Sequence, residues 1–436
     1  MLPRLERYFE FERLRTNWRT EILAGSTTFI TMAYIVFVNP SILQETGMPF
    51  KAVVAATCLC AAFGSIVMGV FARYPIALAP GMGLNAYFTY TVVKGMGIPW
   101  ETALGAVFLS GVAFLILTFA GVRQLIVEAI PRDLYAAVAG GIGVFIALIG
   151  LRNAGIVVAS PATLVTVGNL RDKSTLVAIF GLLLTTALLT WGVRAAMLLG
   201  ILGTTLLGVA AGLVKWSPDS YSISDIAATA GKLDVRAALH IGLAEIVFVF
   251  LFVDMFDNIG TLVGVGKKAG LLDETHRIPR IRQILFADAS ATIAGSLLGT
   301  STVVSYIESA AGVVAGGRSG VTAIVTGLLF LVAMFIAPLL GAIPVAATAP
   351  ALIVVGSLMM SQIGEIAWTE PAVAIPAFLT LVTIPLTFSI ANGLAFGFTV
   401  YALLRVLRGE FRQTHWLVYL LAALFVARFF YLGKSG

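Results

Sequence analysis

Residues 245–266, EIVFVFLFVDMFDNIGTLVGVG, constrain the fold more than any other stretch, because two carboxylates sit in the middle of a run long enough to cross a bilayer. A transmembrane helix needs about twenty mostly apolar residues, and an Asp at its centre costs about 2.5–3.5 kcal/mol. Asp254 and Asp257 are spaced i, i+3, so a helix sets them on one face and a single cavity can hold both. Asn258, Gly260 and Thr261 extend that face. Lipid cannot solvate charge at this depth, so the face must look into protein or water. The stretch is expected to form one wall of a binding site for a polar solute.

The rest of the chain is a succession of apolar runs. They fall at about 22–44, 53–72, 76–93, 101–121, 133–151, 175–193 and 196–214. After a polar loop, Lys215 to Arg236, they resume at about 240–264, 283–298, 300–316, 320–340, 345–361, 371–389 and 391–407. Only 11% of residues are charged, against about 25% in soluble domains, so the chain is an all-α polytopic membrane protein. Seven crossings before the break invert the second seven. A last apolar stretch, 416–433, is left open between spanning the bilayer and resting on its inner face. Residues 1–19 are charged, lack the pattern of a cleavable signal peptide and read as a cytoplasmic arm.

Charge placement agrees with this count. With the N-terminus inside, eighteen Lys and Arg fall on the cytoplasmic side, including the loop residues Lys267, Lys268, Arg277, Arg280 and Arg282, and eight fall outside. The net charge of +6 therefore reflects membrane insertion, and nucleic acid is not an expected partner. Cys58 and Cys60 stand two apart in one apolar run, so neither a disulfide framework nor a metal site is expected, and no cofactor is implied.

The halves also resemble each other in order: SGVAFLI at 110–116 corresponds to TGLLFLV at 326–332, and LTTALLTWGVRAAMLLG at 184–200 to TLVTIPLTFSIANGLAF at 380–396. Ordered inverted repeats are a mark of secondary transporters, whose sites are flagged by interrupted segments at matching positions. Here the third and tenth segments are interrupted. Pro75, Pro80, Gly81 and Gly83 argue against a continuous helix before Leu84, and the β-prone run from Thr300 to Val304 does so before Tyr306. Each segment should be a short extended piece followed by a half-helix, with Asn85 and Glu308 near the half-helix N-termini at mid-membrane. Such termini donate N–H bonds, carboxylates accept them and an Asn amide does both. A planar solute with donors on one edge and acceptors on another fits, and a nucleobase is such a solute.

At these motifs the chain resembles the nucleobase-cation symporters of the nucleobase–ascorbate superfamily, and within them the AzgA-like adenine, guanine and hypoxanthine permeases. The resemblance rests on TEILAGSTTFITMAYIVFVNP at 20–40, APGMGLNAYF at 79–88, FVDMFDNIGTLVG at 252–264 and GTSTVVSYIESAAGV at 299–313. It implies fourteen transmembrane segments in two inverted sevens. It also implies a core domain (20–122 and 238–341), a gate domain (130–214 and 343–408) and a C-terminal hydrophobic helix (415–433). Family transport is an elevator-like movement of core against gate, usually with a co-transported proton. By motif, Asp257 corresponds to the substrate-binding acid of segment eight, Glu308 to that of segment ten and Asn85 to a pocket residue of segment three. Relatives for uracil and xanthine carry Glu in segment eight, so the resemblance implies the AzgA-like purine branch rather than the pyrimidine one.

The expected purine site therefore comprises Asp254, Asp257, Glu308 and Asn85, with Gly83, Tyr306, Ile307 and Phe256 completing its lining. Asp254, Asp257 and Glu308 are the candidates for carrying the proton. Other roles weigh against each: a polar network sealing helices for the two Asp, helix capping for Glu308 and Asn85, and core packing for Tyr87, Tyr306 and Phe256. Thr27, Thr28 and Thr31 form a polar stripe that helix packing explains as well as ligand contact does. Asp288 is a further buried acid of undecided role. The rival readings are a sulfate or carboxylate transporter of related architecture, a membrane-embedded aspartyl enzyme and a channel. Three acids at the site oppose an anion by repulsion, and Asp254 and Asp257 share one helix where such an enzyme needs acids on two. The chain is thus expected in the plasma or inner membrane, with monomer and homodimer left open.

Overall fold

The structure, a computed structural model, describes residues 2–120, 130–215, 223–239, 244–270, 278–340 and 343–432. Among these, seven helices have the length and apolarity to cross a membrane unaided: Trp18–Thr46, Phe50–Ala72, Trp100–Ala120, Arg132–Asn153, Lys173–Thr190, Val345–Glu365 and Ile390–Leu407. Shorter apolar helices cover Ala196–Ala210, Gly320–Ile336, Pro371–Thr387 and Trp416–Ala427. Segment eight is one helix of 26 residues, Ala244–Ala269, despite its carboxylates, and segment nine is Ile281–Leu298. With the interrupted segments three and ten, every one of the fourteen expected segments has its counterpart. Residues 240–243 of segment eight lie outside the described residues, as do Arg277, His240 and His276.

Helix starts follow local chemistry. Asn17 caps Trp18–Met32 (α1) by accepting from the Thr20 N–H at 3.0 Å, and Ser319 caps Gly320–Ile336 in the same way. Within Trp18–Thr46 the regular α-helical bonding is interrupted at Ala33 and Tyr34, which keep right-handed helical dihedrals, between α1, ending at Met32, and α2, Ile35–Leu43. The second segment is α3, Phe50–Val67.

Segments three and ten break where proline, glycine and β-branched residues said they would. Strand β1, Leu78–Pro80, leads into the five-residue helix α4, Met82–Ala86, which widens into a π-helical stretch, Tyr87–Gly95. Strand β2, Val303–Ser305, precedes α5, Ser309–Val314. The two strands pair antiparallel, Leu78 opposite Ser305 and Pro80 opposite Val303, as inverted repeats require of corresponding pieces.

Contacts divide the chain into two compact units, Met1–Phe119 with Arg152–Ala351, and Ala120–Leu151 with Leu352–Gly436. The first holds the strand pair in an apolar core that includes Cys60, Met68, Ile76, Leu78, Leu262, Ile284 and Val303. Cys58 and Cys60 are buried free thiols, Cys60 within this core. In the second, Ala136 and Ala137 pack with Ile366, Val373 and Ala377.

The N-terminal arm folds onto the first unit. Phe9 and Phe11 are buried against Val321, and Glu10 pairs with Arg13, Arg73 and Arg280. Two aromatic anchors and one shared counter-ion hold it there.

Candidate functional site

The β1–β2 crossing organises the site. A strand pair of three residues leaves its flanking backbone unsatisfied, and side chains of four segments complete the bonding. Ser65 from α3 donates to the Leu78 carbonyl and accepts from the Leu78 N–H, at 3.2 and 2.9 Å. Thr292 of segment nine treats Val303 in the same way, at 3.0 and 3.1 Å. Ser309, at the start of α5, accepts from the Ala77 N–H at 3.0 Å. Tyr306 donates through its phenol to the Pro80 carbonyl at 2.5 Å, so its ring is anchored across the crossing and is 5% exposed.

Segment eight packs on this crossing. Asn258, fully buried, accepts at Oδ1 from the Ser305 N–H at 2.7 Å and donates through Nδ2 to Asp288 at 2.6 Å and to the Asp254 carbonyl at 3.0 Å. One amide thereby joins the strand to two buried acids, Asp254 at 2% and Asp288 at 1% exposure. Asp257 lies near the third segment. Its Oδ2 would lie 3.7 Å from a Cβ placed on Gly81, the residue between β1 and α4. Asp257 and Glu308 are within electrostatic reach of each other, and Tyr306 is within reach of both. The i, i+3 pair thus divides its work: Asp254 belongs to the network with segment nine, and Asp257 stands beside the interrupted segments.

Glu308 occupies the N-cap position of α5 without making a side-chain cap bond. Its carboxylate receives a hydrogen bond from the Tyr34 phenol at 2.6 Å. Asn85 lies in the last turn of α4, fully buried, where it donates to Asn39 Oδ1 at 2.5 Å and accepts from the Ser301 hydroxyl. Asn39 in turn donates to Thr57 at 2.7 Å and Thr300 at 3.0 Å. Gly83 is buried in α4, and Ile307 is 53% exposed between Tyr306 and Glu308. The side chain of Phe256 lies outside the described residues.

Three other candidates have contacts of their own. Tyr87 stands edge-on to Phe250 with ring centroids 5.2 Å apart. Thr31 bonds back to the Thr28 carbonyl at 2.8 Å, and Thr27 accepts from Arg194 at 3.4 Å. Sequence reasoning missed Tyr34, Asn39 and Glu21. Glu21, fully buried, accepts from the Arg318 N–H at 3.0 Å and from Thr322 at 2.6 Å, capping the helix that starts at Gly320. The signal for Tyr34 and Asn39 was the TMAYIVFVN motif itself, in which the polar groups recur within an apolar run.

Chemically, the arrangement offers two carboxylate acceptors on different segments, set into a packed polar frame. It can accept two N–H donors of one flat solute and return donors of its own.

A Permease family model (Xan_ur_permease) matches residues 19–427. The chain is 45% identical to the adenine permease AdeP of Escherichia coli, over 97% of this chain and 95% of that one. It is also 45% identical to the guanine/hypoxanthine permease PbuG of Bacillus subtilis, over 98% of this chain and 100% of that one. Its fold is similar to that of the transmembrane domain of the cyanobacterial bicarbonate transporter BicA, with a TM-score of 0.66, 15% identity, and coverage of 87% of this chain and 98% of that one.

Proposed function

The chain belongs to this permease family, the nucleobase–ascorbate transporters, and from that premise we propose that it carries purine nucleobases, adenine, guanine or hypoxanthine, into the cell with a co-transported proton. The observation that carries the reading is that Asp257 stands beside Gly81, at the end of β1, while Glu308 follows β2 at the start of α5. In the proposed site the two carboxylates accept from purine N–H groups. Backbone N–H groups of the third and tenth segments meet the carbonyl or ring nitrogens. Gly83, Tyr306, Ile307 and Phe256 line it. Asn85 orients the frame, and Asp254 acts through Asn258. The proton rides on Asp254, Asp257 or Glu308.

Transport proceeds as an elevator, the core (20–122 and 238–341) moving against the gate (130–214 and 343–408) in an inner or plasma membrane with the N-terminus cytoplasmic. The relatives at 45% identity favour this over the anion reading, since the bicarbonate transporter shares the fold at 15% identity and carboxylates repel an anion.

Binding of tritiated purines to the purified protein tests the site. Asp257→Asn and Glu308→Gln are each expected to weaken binding at least tenfold, since a hydrogen bond to a charged acceptor is worth about 1.5–3 kcal/mol. Wild-type affinity in either variant removes that acid from the site. Coupling is tested separately in proteoliposomes, where an inward proton gradient should drive purine accumulation; uptake indifferent to the gradient excludes proton symport.

A further inference from the structure

Tyr34 has no place in the sequence-derived site, yet it makes the hydrogen bond to Glu308. Its phenol lies 2.6 Å from Oε1, and the residue is 1% exposed. The contact joins residues 274 apart, at the one place where segment one is interrupted, between Met32 and Ile35. Beside it, α1 and α5 approach so closely that a Cβ on Gly312 would fall 2.6 Å from the Ala24 carbonyl. We infer that Tyr34 is a positioning residue of the proposed purine site, fixing the direction of the Glu308 carboxylate toward the β1–β2 crossing.

The chemistry suits a carboxyl that changes charge. A phenol donates to a carboxylate and accepts from a carboxylic acid, so the same two oxygens stay bonded in either state. Glu308 can then take up or lose a proton without swinging out of place. A carboxylate keeps several lone-pair directions after receiving one phenol, so accepting from Tyr34 leaves room for a ligand N–H. The titratable groups that sense Glu308 are Tyr34 on segment one, Asp257 on segment eight and Tyr306 on its own segment.

The inference rests on Glu308 serving the site, and the test separates the two. In the full-length protein, infrared difference spectroscopy follows the carboxylic C=O band that titrates in wild type and is missing in Glu308→Gln. Tyr34→Phe is expected to move that band and displace its titration midpoint by about one to two pH units, as loss of a bond to a charged acceptor should. Binding of tritiated adenine, guanine and hypoxanthine should weaken about tenfold or more in the same variant. An unchanged band and midpoint in Tyr34→Phe overturn the inference even if affinity falls, because packing alone then explains the loss. Wild-type purine affinity in Glu308→Gln overturns the binding role of Glu308 instead, while the infrared result still decides the pairing. Should Tyr34→Phe fail to fold, Tyr34 labelled with a ring fluorine keeps the shape and lowers the phenol's basicity; the Glu308 band must still move.

Discussion

Asn85 has its amide committed on both sides, and this decides what its loss should do. It donates to Asn39 Oδ1 at 2.5 Å and accepts from Ser301, while Asn39 holds Thr57 and Thr300. All five residues are fully buried. Asn85→Ala strands the Asn39 oxygen and the Ser301 hydroxyl, and a buried polar group left unpaired costs about 1–3 kcal/mol. The expected loss is roughly 2–4 kcal/mol of unfolding stability, with purine affinity falling as a consequence of the shifted frame. Asn39→Ala should cost a similar amount. The two substitutions break one shared bond, so the double variant should cost less than the sum of the singles. Chemical unfolding of the four proteins in detergent measures this, and additivity within about 0.5 kcal/mol would mean the two amides are energetically independent.

At the scale of elements, the interruptions were legible because backbone chemistry is local. Pro80 lacks the N–H that a helix interior uses and Gly81 favours non-helical backbone, and the structure turns there from strand to α4. Glu308 fell at the start of α5 for the same reason. What the sequence concealed were bonds between distant segments: Tyr34 reads as one more aromatic in an apolar run until Glu308, 274 residues away, is set beside it. Glu21 reads as part of a charged arm until it is seen capping the helix of segment eleven. Asp254 and Asp257 were correctly set on one helix, but spacing alone does not say that Asn258 draws Asp254 toward segment nine. Close approach is likewise visible only in three dimensions. A Cβ on Gly312 would lie 2.1 Å from Thr28 Oγ1 and 2.6 Å from the Ala24 carbonyl, so α5 must part from α1 to admit it. Gly312→Ala is expected to destabilise by about 1–3 kcal/mol and to weaken purine binding, since the start of α5 carries Glu308. Thr28→Ala in the same chain should recover part of the loss by removing the nearer contact; thermal unfolding of the three variants reads the order.

For the whole molecule the decisive issue is parity. The interrupted segment three and the divided segment one must each cross the bilayer once for the second half to be inverted. The arm and the hairpin after segment five then lie on opposite sides, five crossings apart. That hairpin pairs Val157–Ser160 with Leu164–Val167 and is open to solvent along its second strand. Cys58 and Cys60 are fully buried and give little background to thiol labelling, so a single new cysteine can be read directly. Glu12 and Thr166 are both exposed, and neither belongs to the site. With basic residues retained inside, a membrane-impermeant maleimide should label Thr166→Cys on intact cells and Glu12→Cys only after the membrane is opened. Both labelled from the same side would mean that one of the first five segments re-enters without crossing, and the two halves could not be inverted copies. The opposite pattern, with the arm outside, would keep the parity and overturn the cytoplasmic placement of the arm.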